Sequence, residues 1–276
     1  MAESVNQRIA DRLVRRQIQA ARIEAGLRAQ VLERLAVLEQ DILAAIKTAD
    51  PTEFALLSRR RREVEDLMRE ELGPLIQDRY ARLAGLLDAA LLRLGQSEVA
   101  AVETIVNAAA GDDVIEALPS QRHLRAGITQ TLFPSPSKPT DPSATGSEWW
   151  SRAADSLTQR VRDTLLVSVS LEESLTEMTR RVRGTAENNF ADGVMARGRA
   201  DATRLLTTQV TNALGETRTA VAAANPTRLI VIHQSVLDSR TSILCLSRNG
   251  LKYTADTHEG IGHDVPYLNG VPYHPS

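Results

Sequence analysis

One cysteine in 276 residues excludes an internal disulfide framework and fits a reducing compartment. Aromatic residues make up only 3% of the chain, so the interior must be assembled from Leu, Ile, Val and Ala. Such an interior favours helix packed on helix over a sheet sandwich. Net charge is −2 with acids and bases interspersed, so the basic excess by which free-standing nucleic-acid binders neutralise phosphate is missing. No apolar run approaches the ~18 residues that a bilayer crossing needs. Met1 to Asn6 lacks the basic-then-apolar layout of a signal peptide, and the expectation is a protein made and kept inside the cell. There is no phosphate-binding glycine loop, no H-E-x-x-H and no G-x-S-x-G. Nor does any nucleophile stand beside an evident base and oxyanion donors, so the chain is expected not to be an enzyme.

What is present is helical pattern. From Asn6 to Lys47, residues Leu27, Val31, Leu35, Leu38, Ile42 and Ile46 recur three and four apart, which predicts one long amphipathic helix. Asp50-Pro51 should end it, because the residue before proline is pushed out of the helical region. A second helical stretch is expected from Thr52 towards Leu94, broken or kinked at Gly73-Pro74, and a shorter helix from Ser97 to Ala110. Ser120 is placed to cap a helix reaching Leu132. Residues 133–148 are rich in Pro, Ser, Thr and Gly and read as a linker or surface loop. Trp149 and Trp150 restart the helical pattern and read as packing anchors rather than a ligand platform. Ser170 and Glu173 have capping-box spacing and predict a helix to Arg183 with Gly184 as its C-cap. A long helix is expected from about Asn189 to Ala224. After Pro226, the run Arg228 to Ile232 reads as a buried strand. The predicted fold is mainly α, with long amphipathic helices and a small mixed α/β carboxy-terminal module. The predicted divisions are a helical domain (1–132), the linker (133–148), a helical stalk (149–225) and the module (226–276).

Two clusters invite chemistry. Arg59-Arg60-Arg61-Arg62 is the most basic run. Glu63, Glu65 and Asp66 follow at four-residue spacing, so the first reading is a solvated, internally paired helix face, and the second is contact with DNA or an acidic partner. Cys245 and His274 are the one pair with zinc-donor chemistry, and a small module with little core gains most from a metal staple. A structural site wants four ligands, however, and His233, His258 and His263 match no zinc spacing. The expectation is therefore no cofactor, with zinc as the alternative; without metal, Cys245 is a small buried hydrophobe. Asp238, Arg240 and Thr241 read as a local network that fixes a turn.

The run Leu237-Asp238-Ser239-Arg240-Thr241 leading to Cys245, then Asn249-Gly250 and Tyr253, then the closing Pro272-Tyr273-His274-Pro275, resembles the tail of the phage head morphogenesis family of Mu F-like minor head proteins. Trp149-Trp150, Leu175 to Gly184 and Ala202 to Ala213 are similar to that family's middle helices, so the resemblance covers roughly residues 132–276. It marks Asp238, Arg240, Thr241, Cys245, Gly250, Pro272, His274 and Pro275 as motif residues. The family's motif usually ends H-P-x-C-R, and the chain stops at Ser276, so the module is expected to be truncated. Where relatives often carry C-x-x-C, Ser242 holds the first position, and His233 stands where they often carry tryptophan; both departures argue against a family metal site. The resemblance implies a minor capsid protein attached to the portal, acting in head assembly, DNA packaging or DNA exit. Its implied partners are the portal, other capsid or scaffolding proteins and packaged DNA, with no membrane. The implied location is the virion head interior, reached from the host cytoplasm. The alternative is a metal-dependent or toxin-like enzyme carrying the same module.

Overall fold

A Leu- and Ala-rich chain with three-and-four apolar spacing folds into long helices followed by a small carboxy-terminal module. The computed structural model describes residues 4–111, 113–133, 143–233 and 243–267, with the backbone alone at 243–245. These residues form α1 (Val5–Ala49), α2 (Leu57–Leu67), α3 (Gly73–Ala110), α4 (Gln121–Gln130), α5 (Gly146–Ser170), α6 (Leu175–Arg183), α7 (Val194–Ala223), β1 (Ile230–Ile232), α8 (Ile243–Arg248) and β2 (Lys252–Thr254). Among them no helix is long and apolar enough to cross a membrane.

Helix ends follow local chemistry. Asp50 turns left-handed (φ 30°), and its carboxylate accepts from the Thr52 N–H at 3.2 Å, so α1 ends in the 3₁₀ turn Pro51–Glu53. The Ser120 hydroxyl caps α4 by accepting from the His123 N–H at 3.2 Å. The Gly184 N–H closes α6 on the Arg180 carbonyl at 2.7 Å, with φ at 97°.

Several boundaries differ from those read in the sequence, each for a physical reason. Gly73-Pro74 does not break a helix; one π-helical turn, Met68–Leu72, joins α2 to α3. A Cβ on residue 73 would stand 2.7 Å from the Met68 carbonyl oxygen, so only glycine fits, and Pro74 follows where the hydrogen-bond ladder has already slipped. The expected separate helix from Ser97 is continuous with the residues before it. Gly95 lets two side chains approach rather than ending a helix, for its Cβ would lie 2.5 Å from Ile128 Cδ1 and 3.0 Å from Thr217 Oγ1. The capping box is Ser174 with Glu177, not Ser170 with Glu173, because α5 runs on to Ser170 and Glu173 instead grips Arg181. α7 starts at Val194 rather than near Asn189. Asn189 and Phe190 are left-handed, and Asp192 ties the preceding loop by accepting from the Thr185 N–H and hydroxyl, both at 2.7 Å, and from Asn188 at 3.0 Å. The arginine run is paired differently too: Glu65 accepts from Arg162 of α5, and Asp66 from Arg69. Arg61 reaches the Ser170 hydroxyl at 2.9 Å, and Arg59 lies over the Phe54 ring at 5.5 Å.

Contacts divide the chain along lines that linear reading did not anticipate. A first unit comprises Met1–Ala25, Leu87–Gly146 and Thr207–Ser276; a second comprises Gly26–Leu86 and Ser147–Leu206. α1, α3 and α7 therefore each supply residues to both units. The ends of the proline-rich stretch lie within the first unit, where Phe133 and Ala144 exchange backbone hydrogen bonds at 3.0 and 3.1 Å.

In the second unit the α1 stripe Val31, Leu35, Leu38, Ile42 and Ile46 is fully buried, as its spacing predicts. Trp150 packs 6.0 Å from Tyr80, so the tryptophans are core anchors, and Arg152 covers Trp149 at 4.4 Å. Arg199 with Glu39, Arg160 with Asp201 and Arg79 with Asp41 link helices around this core. In the first unit Val99, Val102 and Val106 of α3 pack with Ile115, Leu124 and Val221. Beside that core, Glu98 is completely buried, and it accepts from Arg16 Nε at 2.8 Å and Arg218 Nε at 2.7 Å. One carboxylate thus bridges α1, α3 and α7.

Candidate functional site

The carboxy-terminal module is anchored by Asn225, just past the end of α7. Its buried amide oxygen accepts from the N–H groups of Glu116 at 2.9 Å and Ala117 at 3.0 Å. Its Nδ2 donates to the carbonyls of Ala117 at 2.8 Å and Val221 at 2.9 Å. All four bonds are internal, so the direction in which the chain leaves α7 is set by one side chain.

β1 then pairs antiparallel with β2, with Ile230 opposite Thr254, Val231 opposite Tyr253 and Ile232 opposite Lys252. Gly250, one of the motif residues, has φ 85° and donates its N–H to the His233 carbonyl at 2.8 Å, while the His233 N–H bonds Leu251 at 2.9 Å. The motif glycine therefore makes the turn that closes this ladder. The expectation that residues 228–232 form a buried strand fails in one respect. Ile230 and Ile232, which share one face of β1, are each 47% exposed, so that face is open. β2 is covered on its far side, where Thr254 N–H bonds Glu259 and Ile261 N–H bonds Lys252, at 3.0 and 2.9 Å.

Ring packing holds the module together. Tyr253 is buried and meets His263 and Tyr267 edge-on, each at 5.0 Å, while His258 stacks on Tyr267 at 4.2 Å. The His263 ring lies 2.9 Å from the Lys252 carbonyl through Nε2, and its Nδ1 accepts from the Val265 N–H at 3.2 Å, an arrangement that requires the neutral Nε2–H tautomer. His233 is buried, with its pKa lowered by burial and by Arg248.

A cavity of about 250 Å³ opens where α4, α7 and the turn after β2 meet. His123, Leu124 and Gly127 come from α4, Glu216, Thr219, Ala220 and Ala223 from α7, and Asp256 and His258 from the turn. His258 is held left-handed at φ 57°, and its Nε2 is buried without a hydrogen-bond partner. Burial pushes its pKa down, opposed by Asp256. Burial alone raises the pKa of Glu216, and the pKa of Tyr267 is raised by burial against a hydrogen bond from Thr219. The carboxyl of Glu216 rests beside Gly127, where an added Cβ would lie 3.6 Å from Oε2.

Of the motif residues, Asp238, Arg240, Thr241, Pro272, His274 and Pro275 lie outside the described residues, as does Ser242. Cys245 is placed by its backbone in α8, and the proposed zinc pair Cys245–His274 falls outside the description. Among the described residues no group of three or more His, Cys, Asp or Glu is arranged to hold a metal ion. Linear reading noted His258 only as a spare metal donor and missed His123, Glu216 and Tyr267. They come from three separated segments and share no spacing signal. Comparison with protein-family models, curated proteins and solved structures finds no match to this chain.

Proposed function

We propose that the chain is a non-enzymatic minor head protein of a tailed phage, seated on the portal and acting in head assembly, DNA packaging or DNA exit. The motif resemblance of residues 132–276 supports the class. The observation that carries the docking role is on α1. Val14 and Ile18, one turn apart, are 55% and 56% exposed, and Arg15 and Arg22 are exposed on the same stretch of helix. Apolar side chains bordered by arginine have the composition of an interface core and its rim. On this reading the protein assembles in the host cytoplasm with the portal, meets other capsid or scaffolding proteins, and ends inside the virion head close to packaged DNA.

Point substitutions test the surface better than truncation, because removing residues 1–132 would strip helices from the cores of both units. The double variant Val14→Asp, Ile18→Asp is co-expressed with the portal of the same phage. The expected result is loss of co-purification at an unchanged melting temperature. Undiminished co-purification would remove α1 from the docking surface.

A further inference from the structure

The cavity between α4, α7 and the turn after β2 has a chemical bias, and it is independent of the portal reading. Its polar wall carries the carboxylates of Glu216 and Asp256, the His258 ring with a buried, unpartnered Nε2, the His123 ring and the Thr219 hydroxyl. The Glu216 carboxylate is partly buried and has no hydrogen bond or ion pair among the described residues, and its charge is felt by Tyr267. Its remaining wall is apolar, from Leu124, Gly127, Ala220 and Ala223. A partly buried carboxylate without a counter-charge is held towards its neutral form, as the raised pKa of Glu216 records, and a cation seated beside it would favour the charged form. The volume, about 250 Å³, lies below the range typical of drug-sized ligands and suits one alkyl chain with a charged head.

We propose that this cavity binds an alkylammonium or alkylguanidinium group, with the charged head between Glu216 and Asp256 and the methylene stem along Leu124, Ala220 and Ala223. Lysine and arginine side chains have that build, an apolar stem under a charged tip, and so do free polyamines. The stacked His258–Tyr267 pair forms an aromatic border that a cation also favours. Burial raises the pKa of Asp88 on α3, and the charge of Arg125 on α4 opposes that shift.

The test uses the full chain and follows the histidine ring resonances by NMR during titration with Nα-acetyl-lysine methylamide, Nα-acetyl-arginine methylamide, spermidine and uncharged Nα-acetyl-norleucine methylamide. Saturable shifts at His258 and His123 are expected with the cations and not with the norleucine compound. Glu216→Gln should weaken binding at least tenfold with the melting temperature retained, and Asp256→Asn, at an exposed position, should weaken it without any risk to the fold. Tighter binding of the capped amino acids identifies a partner's side chain as the occupant. Tighter binding of spermidine identifies a free amine. Equal shifts with the norleucine compound, undiminished binding by both variants, or no saturable shift with any cation would overturn the proposal.

Discussion

Glu98 offers the sharpest test of how the first unit is held together. Its side chain has no solvent exposure, while its partners Arg16 and Arg218 are 12% and 28% exposed. Glu98→Ala would leave two largely desolvated guanidinium groups facing each other with no counter-charge. Breaking a buried pair in this way costs about 3–5 kcal/mol, mostly from the charge left behind rather than from the bonds lost. Arg16 keeps a bond to the Ser97 hydroxyl at 2.8 Å, which places the loss at the lower part of that range. For a chain of this size each kcal/mol moves Tm by about 2–4 °C, so a fall of at least about 6 °C is expected by calorimetry or circular dichroism. The deficit should persist in high salt, because buried charges are weakly screened. A companion variant, Arg16→Met, Glu98→Leu, Arg218→Met, should recover most of the loss, since it removes the charges together. A Glu98→Ala protein melting within about 2 °C of the parent would refute the argument, as would a triple variant no better than the single one.

Trp150→Ala should destabilise the second unit by about 3–5 kcal/mol, because a large side chain only 1% exposed leaves a cavity against Tyr80; urea unfolding measures it. The Asp192 carboxyl has its pKa lowered to about 2 by hydrogen bonds from Thr185 and Asn188, from an ordinary value of 3.8. Its contribution to stability is therefore full above about pH 4 and is lost as pH falls through about 2; Asp192→Asn should flatten that part of the acid-unfolding curve and leave its shape at neutral pH alone. The isolated protein should bind duplex DNA weakly, since net charge is −2 and many arginines are engaged by carboxylates; tight, salt-sensitive binding by fluorescence anisotropy would contradict this.

Helix identity was legible in the linear chain because it depends on neighbours three and four residues away. The stripe from Leu27 to Ile46, the cap at Ser120 and the stops at Asp50, Gly184 and Asn225 all work over one turn of helix, and the residues carry that information themselves. So does the strand at 230–232, whose β-branched run names its conformation. Where two local signals competed, only packing chose between them. Ser170 and Ser174 both have a glutamate three residues on, and the latter became the cap because α5 keeps its turn through Ser170 while Glu173 binds Arg181. The separate helix expected from Ser97 is part of α3, and Gly95 within it leaves the space of its missing Cβ to Ile128 and Thr217 from other helices.

The larger decisions were tertiary throughout. Which half of α1 packs with which half of α3 and α7 depends on contacts between residues far apart in sequence, and a proline-rich stretch is no guide to them when its ends are joined by Phe133 and Ala144. Exposure of Ile230 and Ile232 follows from the face of β1 that they share being left open, which composition does not record. The cavity was invisible for the same reason. His123, Glu216 and His258 come together because Asn225 bonds the end of α7 to residues 116 and 117, ahead of α4, and because Tyr267 returns to stack on His258. A helix is a local agreement among side chains, whereas a site is an agreement among distant segments, and that agreement is made only when the chain has packed.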